Sequence, residues 1–144
     1  MYSKVNDDTC YKLHYLSRLV MIQLNSELRP HGVTQGQLPV LCCLSDKEGQ
    51  TQAELCGQIS VEQPTMANTL QRMERDGLIY RVPCEKDKRQ SRIFLTDKSR
   101  PIVNTLLEKR DEVLSHMTIS MTRKEVGEFH RLLDVAIEAL DARE

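Results

Sequence analysis

The sequence predicts a mainly α-helical fold with a small two- or three-stranded β-wing, and three observations point there. Ser or Thr followed three residues later by Glu or Gln recurs at Thr34/Gln37, Thr51/Glu54, Ser60/Gln63 and Thr122/Glu125. In such a pattern the hydroxyl accepts from the N–H three residues on, and the longer side chain reaches back to the N–H of the cap, so each pair is a helix start. Apolar residues recur at helical spacing near both ends of the chain. One central window instead alternates β-branched and aromatic residues on either side of a charged loop.

The first helix is expected over Thr9–Leu28, where Leu13, Leu16, Val20, Leu24 and Leu28 form one stripe and Pro30 and Gly32 end it. A second follows over Thr34–Ser45, with Pro39 one turn inside, where its missing N–H predicts a kink. Short helices over Thr51–Ile59 and Glu62–Asp76 come next. Gly77 is placed to be the left-handed residue that closes the latter, with Leu78 making the accompanying apolar contact. Leu78–Val82 and Arg92–Thr96 read as antiparallel strands. Between them Pro83 to Ser91 is too long, and too poor in glycine, for a two-residue turn, so it should protrude. Two long amphipathic helices close the chain, Lys98–Met117 around Val103, Leu106, Leu107, Val113 and Leu114, and Arg123–Ala142 around Val126, Phe129, Leu133, Ile137 and Leu140.

A chain of 144 residues suits one compact domain with appended helices. The expected division is residues 1–32 as an N-terminal dimerisation helix, 33–97 as the central domain and 98–144 as C-terminal dimerisation helices. Hydrophobic residues at 40% and charged residues at 28% are ordinary for a soluble protein, and no apolar run reaches the roughly 18 residues that cross a bilayer. Met1 to Asp8 carry no apolar export signal, so a cytoplasmic location and no membrane partner are expected. Five cysteines without CxxC spacing read as free thiols. The chain has no Gly-rich phosphate loop, nucleophile elbow or His-Glu-x-x-His, so no catalytic residue, metal or cofactor is expected.

The net charge of −1 is not that of a nucleic-acid binder. Charge is unevenly placed, however: Arg81 to Arg92 holds Arg81, Lys86, Lys88, Arg89 and Arg92 against Glu85 and Asp87. A phosphate backbone meets the local patch, because distant charges are screened beyond about 8–10 Å.

Three helices followed by a two-stranded hairpin, the last two helices short and closely joined, is the order of a winged helix-turn-helix. In that arrangement the start of the second short helix points into a DNA major groove. Gln63, Pro64, Thr65, Asn68 and Thr69 then become candidates for base or phosphate contact, with Arg72 one turn further on. Leu70 and Met73 would face inward. The loop with Lys86, Asp87, Lys88 and Arg89, continued by Arg92, becomes the wing, with Arg89 the first choice to enter a minor groove. Asp87 would repel phosphate unless turned back onto a basic neighbour, which assigns it an orienting role.

The segment Val61 to Ile79 resembles the recognition helix and following strand of the MarR family, especially its SlyA-like branch. Asp87-Lys88-Arg89 followed by Ile93-Phe94-Leu95-Thr96 is similar to that family's wing signature. The resemblance covers Val33–Asp97, with Asn68 standing where SlyA-like proteins often carry a basic residue. It implies a dimeric regulator that binds double-stranded DNA, whose wing arginine enters the minor groove. It also implies release from DNA by a small aromatic carboxylate, or by cysteine oxidation.

Tyr11, His14, Tyr15 and Arg18 on the first helix are the candidates for holding such a carboxylate, an arginine and a histidine suiting its charge. Cys10-Tyr11 with Ser17-Arg18 is similar to the start of the peroxide-sensing branch, although His14 stands where that branch has a tyrosine. A thiol at a helix start gains from the dipole, which makes Cys10 the redox candidate. The long end helices carry more apolar surface than a small winged domain can cover, so a homodimer is expected. The rival reading is a winged-helix dimer that binds a protein partner and no longer binds DNA.

Overall fold

The computed structural model of the chain describes residues 8–143. It has α1 (Thr9–Leu28), a 3-10 turn (Arg29–His31), α2 (Leu38–Asp46), β1 (Gln50–Thr51), α3 (Gln52–Ile59), α4 (Gln63–Arg75), β2 (Ile79–Pro83), β3 (Ser91–Leu95), α5 (Ser99–Met117) and α6 (Arg123–Asp141). The strands form one antiparallel sheet in the order β1-β3-β2. Ile79 faces Leu95 and Pro83 faces Ser91 across the hairpin, while Gln50 and Thr51 pair with Ile93 and Arg92.

Thr51 and Thr122 cap α3 and α6 with both halves of the reciprocal hydrogen-bond pair in place. The other two expected boxes fail for local reasons. Gln37 does reach back to the Thr34 N–H at 3.1 Å, but this closes a turn, and α2 begins only at Leu38. Pro39 therefore sits in the first turn of α2, where no intrahelical donor is lost, and the expected kink has no cause. Ser60 cannot cap α4 because it ends α3 in a left-handed conformation (φ 56°), its N–H donating to Cys56 O at 3.0 Å. Glu62 stands at the N-cap of α4 with no side-chain cap bond. At the other end of α4, Gly77 (φ 75°) donates to Glu74 O at 3.1 Å, and Leu78 donates to Met73 O at 2.9 Å. These bonds turn the chain sharply into β2.

The core lies where α2, α3, α4 and the sheet meet α1 and α5. Leu28, Leu41, Leu44, Leu55, Met66, Leu70, Met73, Ile79, Ile93 and Leu106 are buried there. Burial of this kind is the main stabilising term for so short a set of helices. By contrast α6 has no buried residue among those described, and it touches the other described elements only marginally.

Candidate nucleic-acid interface

Helix α4 is divided by its own sequence. Met66, Leu70 and Met73 recur at three- and four-residue spacing and are buried, which anchors one face on the core. The opposite face then has to be solvent-facing: Gln63, Pro64, Thr65, Asn68 and Arg72 are exposed and Thr69 is half-buried. No side chain caps the start of this helix, so its positive end is open on the same side. Gln52, the first residue of α3, donates from Nε2 to Gln63 Oε1 at 2.9 Å and holds that amide at the helix start.

The wing is closed by Cys84 N–H donating to Gln90 O at 2.9 Å and Gln90 N–H donating to Asp87 O at 3.0 Å. Asp87 Oδ1 accepts from the Arg89 backbone N–H at 3.0 Å and from Arg89 Nε at 3.1 Å. The guanidinium of Arg89 holds the Asp87 carboxyl below the usual carboxylate range, its backbone N–H adding to this. Lys86 and Lys88 are exposed, and the Arg89 side chain retains 92% of its accessible surface despite the tether.

Between these elements runs a polar cleft of about 300 Å³, lined by Thr51, Gln52, Gln63, Arg81, Arg89 and Gln90. Two candidates distant in sequence, Gln63 and Arg89, therefore share one concave surface. Arg92 does not join them. It lies on the other face of the hairpin, where Tyr80 and Phe94 stack at 5.5 Å, and its Nη1 donates to Gly49 O at 2.9 Å. The cleft also contains Gln52, which carries no sequence signal, and Arg81, which the sequence places in the basic patch but not among the contact candidates. Alternation could have found Arg81, since it falls in register with buried Ile93, whereas Gln52 became visible only through the packing of α3 on α4.

The four first-helix candidates sit elsewhere. Tyr11, His14, Tyr15 and Arg18 are exposed along α1, with Tyr11 and Tyr15 stacked at 5.8 Å. An apolar cavity of about 290 Å³ opens between α1 and α5, lined by Leu16, Leu19, Val20, Val113 and Met117, with Gln23 and His116 as its polar groups. None of the four lines it.

All five cysteines are free thiols. Cys10 is exposed in the first turn of α1, but the Asp8 carboxylate already accepts its N–H at 3.1 Å, so the helix-start field at this thiol is met by a negative charge. Burial pushes the Cys42 and Cys43 thiols up, even though Arg110 Nη1 lies 3.1 Å from Cys42 Sγ. Among the described residues no His, Cys, Asp or Glu cluster could hold a metal ion, and no helix is long and apolar enough to cross a membrane.

Comparison with known proteins places this architecture. The sequence pattern that defines the MarR family matches residues 33–91, the α2-to-wing region. The HTH-type transcriptional regulator MgrA of Staphylococcus aureus is 31% identical over 138 residues, covering 95% of this chain and 92% of MgrA. Solved structures share the fold, two of them as follows. A MarR transcriptional regulator from Methanosarcina mazei Go1 superposes with a TM-score of 0.82 at 25% identity, over 92% of this chain and 96% of that one. A mutant of MarR from E. coli, complexed with operator DNA, superposes with a TM-score of 0.79 at 26% identity, over 86% of this chain and 89% of that one. With MgrA aligned over nearly its full length and the family pattern matched across the winged core, the chain belongs to the MarR family of winged-helix transcriptional regulators.

Proposed function

We propose that the protein is a homodimeric transcriptional regulator that reads a palindromic operator in double-stranded DNA. The α4 start enters the major groove and the wing arginine Arg89 enters the adjoining minor groove. The observation that carries this reading is the shared cleft: Gln63 at the open end of α4 and the solvent-facing Arg89 flank one concave surface. Asp87 orients Arg89, which reduces the rotamer freedom lost when a side chain is ordered on DNA. The operator-bound relative among the solved structures supports the same use of the fold. A two-fold axis through the end helices would set two α4 copies about 34 Å apart, one helical turn of DNA. The helix and wing motifs favour a SlyA-like chain within the family, with Asn68 giving it its own base preference.

For the effector we propose a small aromatic carboxylate in the α1–α5 cavity. Its apolar lining suits a ring, and His116 or Gln23 suits the carboxylate. Tyr11, His14, Tyr15 and Arg18 would then act only from the exposed α1 surface, where a partner copy would cover them. Peroxide sensing through Cys10 gains little from the structure, since Asp8 occupies the helix start beside it.

Fluorescence anisotropy of duplex binding across a salt series tests the reading. Arg89→Ala should weaken binding at every sequence and lower the salt slope by about one. Parent-like binding by Arg89→Ala would refute the wing assignment. Selection of bound fragments from random DNA should return palindromes with one-turn spacing. Failure to enrich any duplex would favour the protein-binding alternative, which has no use for exposed Lys86, Lys88 and Arg89.

A further inference from the structure

We infer that Glu48 and Arg100 form a strut between Leu95, at the base of the β2–β3 hairpin that carries the wing, and the start of the long helix α5, which makes Glu48 a positioning residue for the wing. Its consequence for DNA rests on the function proposed above, and its structural part stands independently.

The argument begins with an unequal sheet. β3 is the middle strand, but β1 contributes only Gln50 and Thr51, paired with Ile93 and Arg92. Continuing that register would set residue 48 opposite Leu95, yet no strand is present there to accept the Leu95 N–H. The Glu48 carboxylate does so instead: Leu95 N–H donates to Glu48 Oε1 at 2.8 Å. A side chain thus completes the edge of β3 where backbone runs out.

The same carboxylate reaches α5. Arg100 Nη2 lies 3.1 Å from Glu48 Oε1 and 3.3 Å from Oε2, and Asp97 pairs with Nη1. Arg100 stands in the first turn of α5, where a cation opposes the helix dipole, so Glu48 and Asp97 offset a charge that is otherwise badly placed. The side chains are 32% and 41% exposed, so this pair contributes position more than global stability.

The backbone beside Glu48 has little freedom to drift. Gly49 has φ +77°, a Cβ there would stand 3.3 Å from the Phe94 ring, and its N–H donates to Ile93 O at 2.8 Å. Arg92 adds its bond to Gly49 O. Ser99 Oγ, donating to Leu78 O at 2.7 Å, already fixes the opposite side of the wing base. Glu48 therefore ties the remaining side, and the start of α5 is joined to both strands at the base of the hairpin that carries the wing.

The test compares Glu48→Ala, which loses acceptor and charge, with Glu48→Gln, which keeps the acceptor. In the full-length protein, Glu48→Ala should speed amide hydrogen exchange at Leu95 and across the wing by about tenfold, with α4 core amides unchanged. Glu48→Gln should largely restore it. Duplex affinity should fall about threefold to tenfold, and Arg89→Ala should cost less in the Glu48→Ala background than alone, because a misplaced wing has already lost that contact. Unchanged exchange at Leu95 overturns the strut. Faster exchange with unchanged duplex affinity, or fully additive Arg89 effects, overturns the positioning role. If the parent itself binds no duplex, the DNA reading falls and the exchange measurement alone decides the strut.

Discussion

Helices α4 and α6 are both strongly amphipathic, yet the chain uses them in opposite ways. In α4 the apolar stripe is fully spent inside the protomer, with Leu70 and Met73 at 0% exposure, so what remains for a partner is polar. In α6 the polar face is solvated and the apolar side is left over: Leu132, Val135, Ile137 and Leu140 are each more than half exposed. So many exposed large apolar side chains on one helix favour an interface there. One helix is finished by folding and offers hydrogen-bonding groups, while the other leaves apolar side chains exposed, and the homodimer proposed above would cover them. Recognition chemistry and assembly are therefore separable in this chain, and substitutions can attack one without the other.

The largest effect should come from the unfinished helix. Replacing Ile137 and Leu140 together by Asp puts two charges on the surface proposed to pair, without touching a buried residue of the chain. Sedimentation should report a monomer. Affinity for a two-half-site duplex should then drop by about 10²–10⁴-fold, the loss expected when bivalent binding becomes monovalent. A dimer that persists would mean that α6 is not the pairing surface.

The complementary substitution strikes the finished helix. Leu70→Ala removes a fully buried side chain and should destabilise the protein by about 2–5 kcal/mol in chemical denaturation. Pairing should survive at temperatures where the fold does. Should Leu70→Ala dissociate the dimer while the protomer stays folded, the separation of the two roles would be wrong.

The same contrast explains which features are legible in the sequence. Both helices were legible because their apolar spacing is unambiguous, and the turn after α4 was legible because Gly77 and Leu78 have one obvious use. The start of α4 is legible to within a residue, but its cap is not Ser60: a capping pattern states which bonds are possible, and here the end of α3 claims Ser60 in a left-handed conformation. The start of α2 was misread for a related reason, since Gln37 makes its bond to Thr34 in a turn that never becomes helix. Within the site, residues on the surfaces of single elements were found, Gln63 and Arg89 among them. Arg92 was grouped with them by proximity in sequence, but strand alternation turns it to the far face. Glu48 carried no signal at all, because its partners lie 47 and 52 residues away.

On the polar face of α4 a smaller effect is expected. Asn68 is exposed one turn in from the helix start and can bond an adenine edge with both amide groups. Asn68→Ala should change preference by about 1–3 kcal/mol at one or two base positions and leave the salt slope intact. A uniform loss across all sequences would instead make Asn68 a phosphate contact.

The smallest effect separates the two helix starts. α6 begins with a complete reciprocal cap, Thr122 N–H donating to Glu125 Oε1 at 2.9 Å and Glu125 N–H to Thr122 Oγ1 at 3.1 Å, whereas α4 begins with none. Thr122→Ala should therefore cost about 1 kcal/mol in dimer stability. The Thr122 backbone N–H holds the Glu125 carboxyl below the usual range. A carboxyl whose folded value is depressed contributes stability that is present above its unfolded value and lost as pH falls through the folded one. The melting temperature should thus lose this contribution only in acid, below the ordinary glutamate range, and Glu125→Gln should flatten that part of the profile. Because α4 has no such cap, the acid loss should appear at α6 amides in hydrogen exchange and spare the α4 start. Equal acid sensitivity at both helix starts would mean that the cap of α6 is not what distinguishes them.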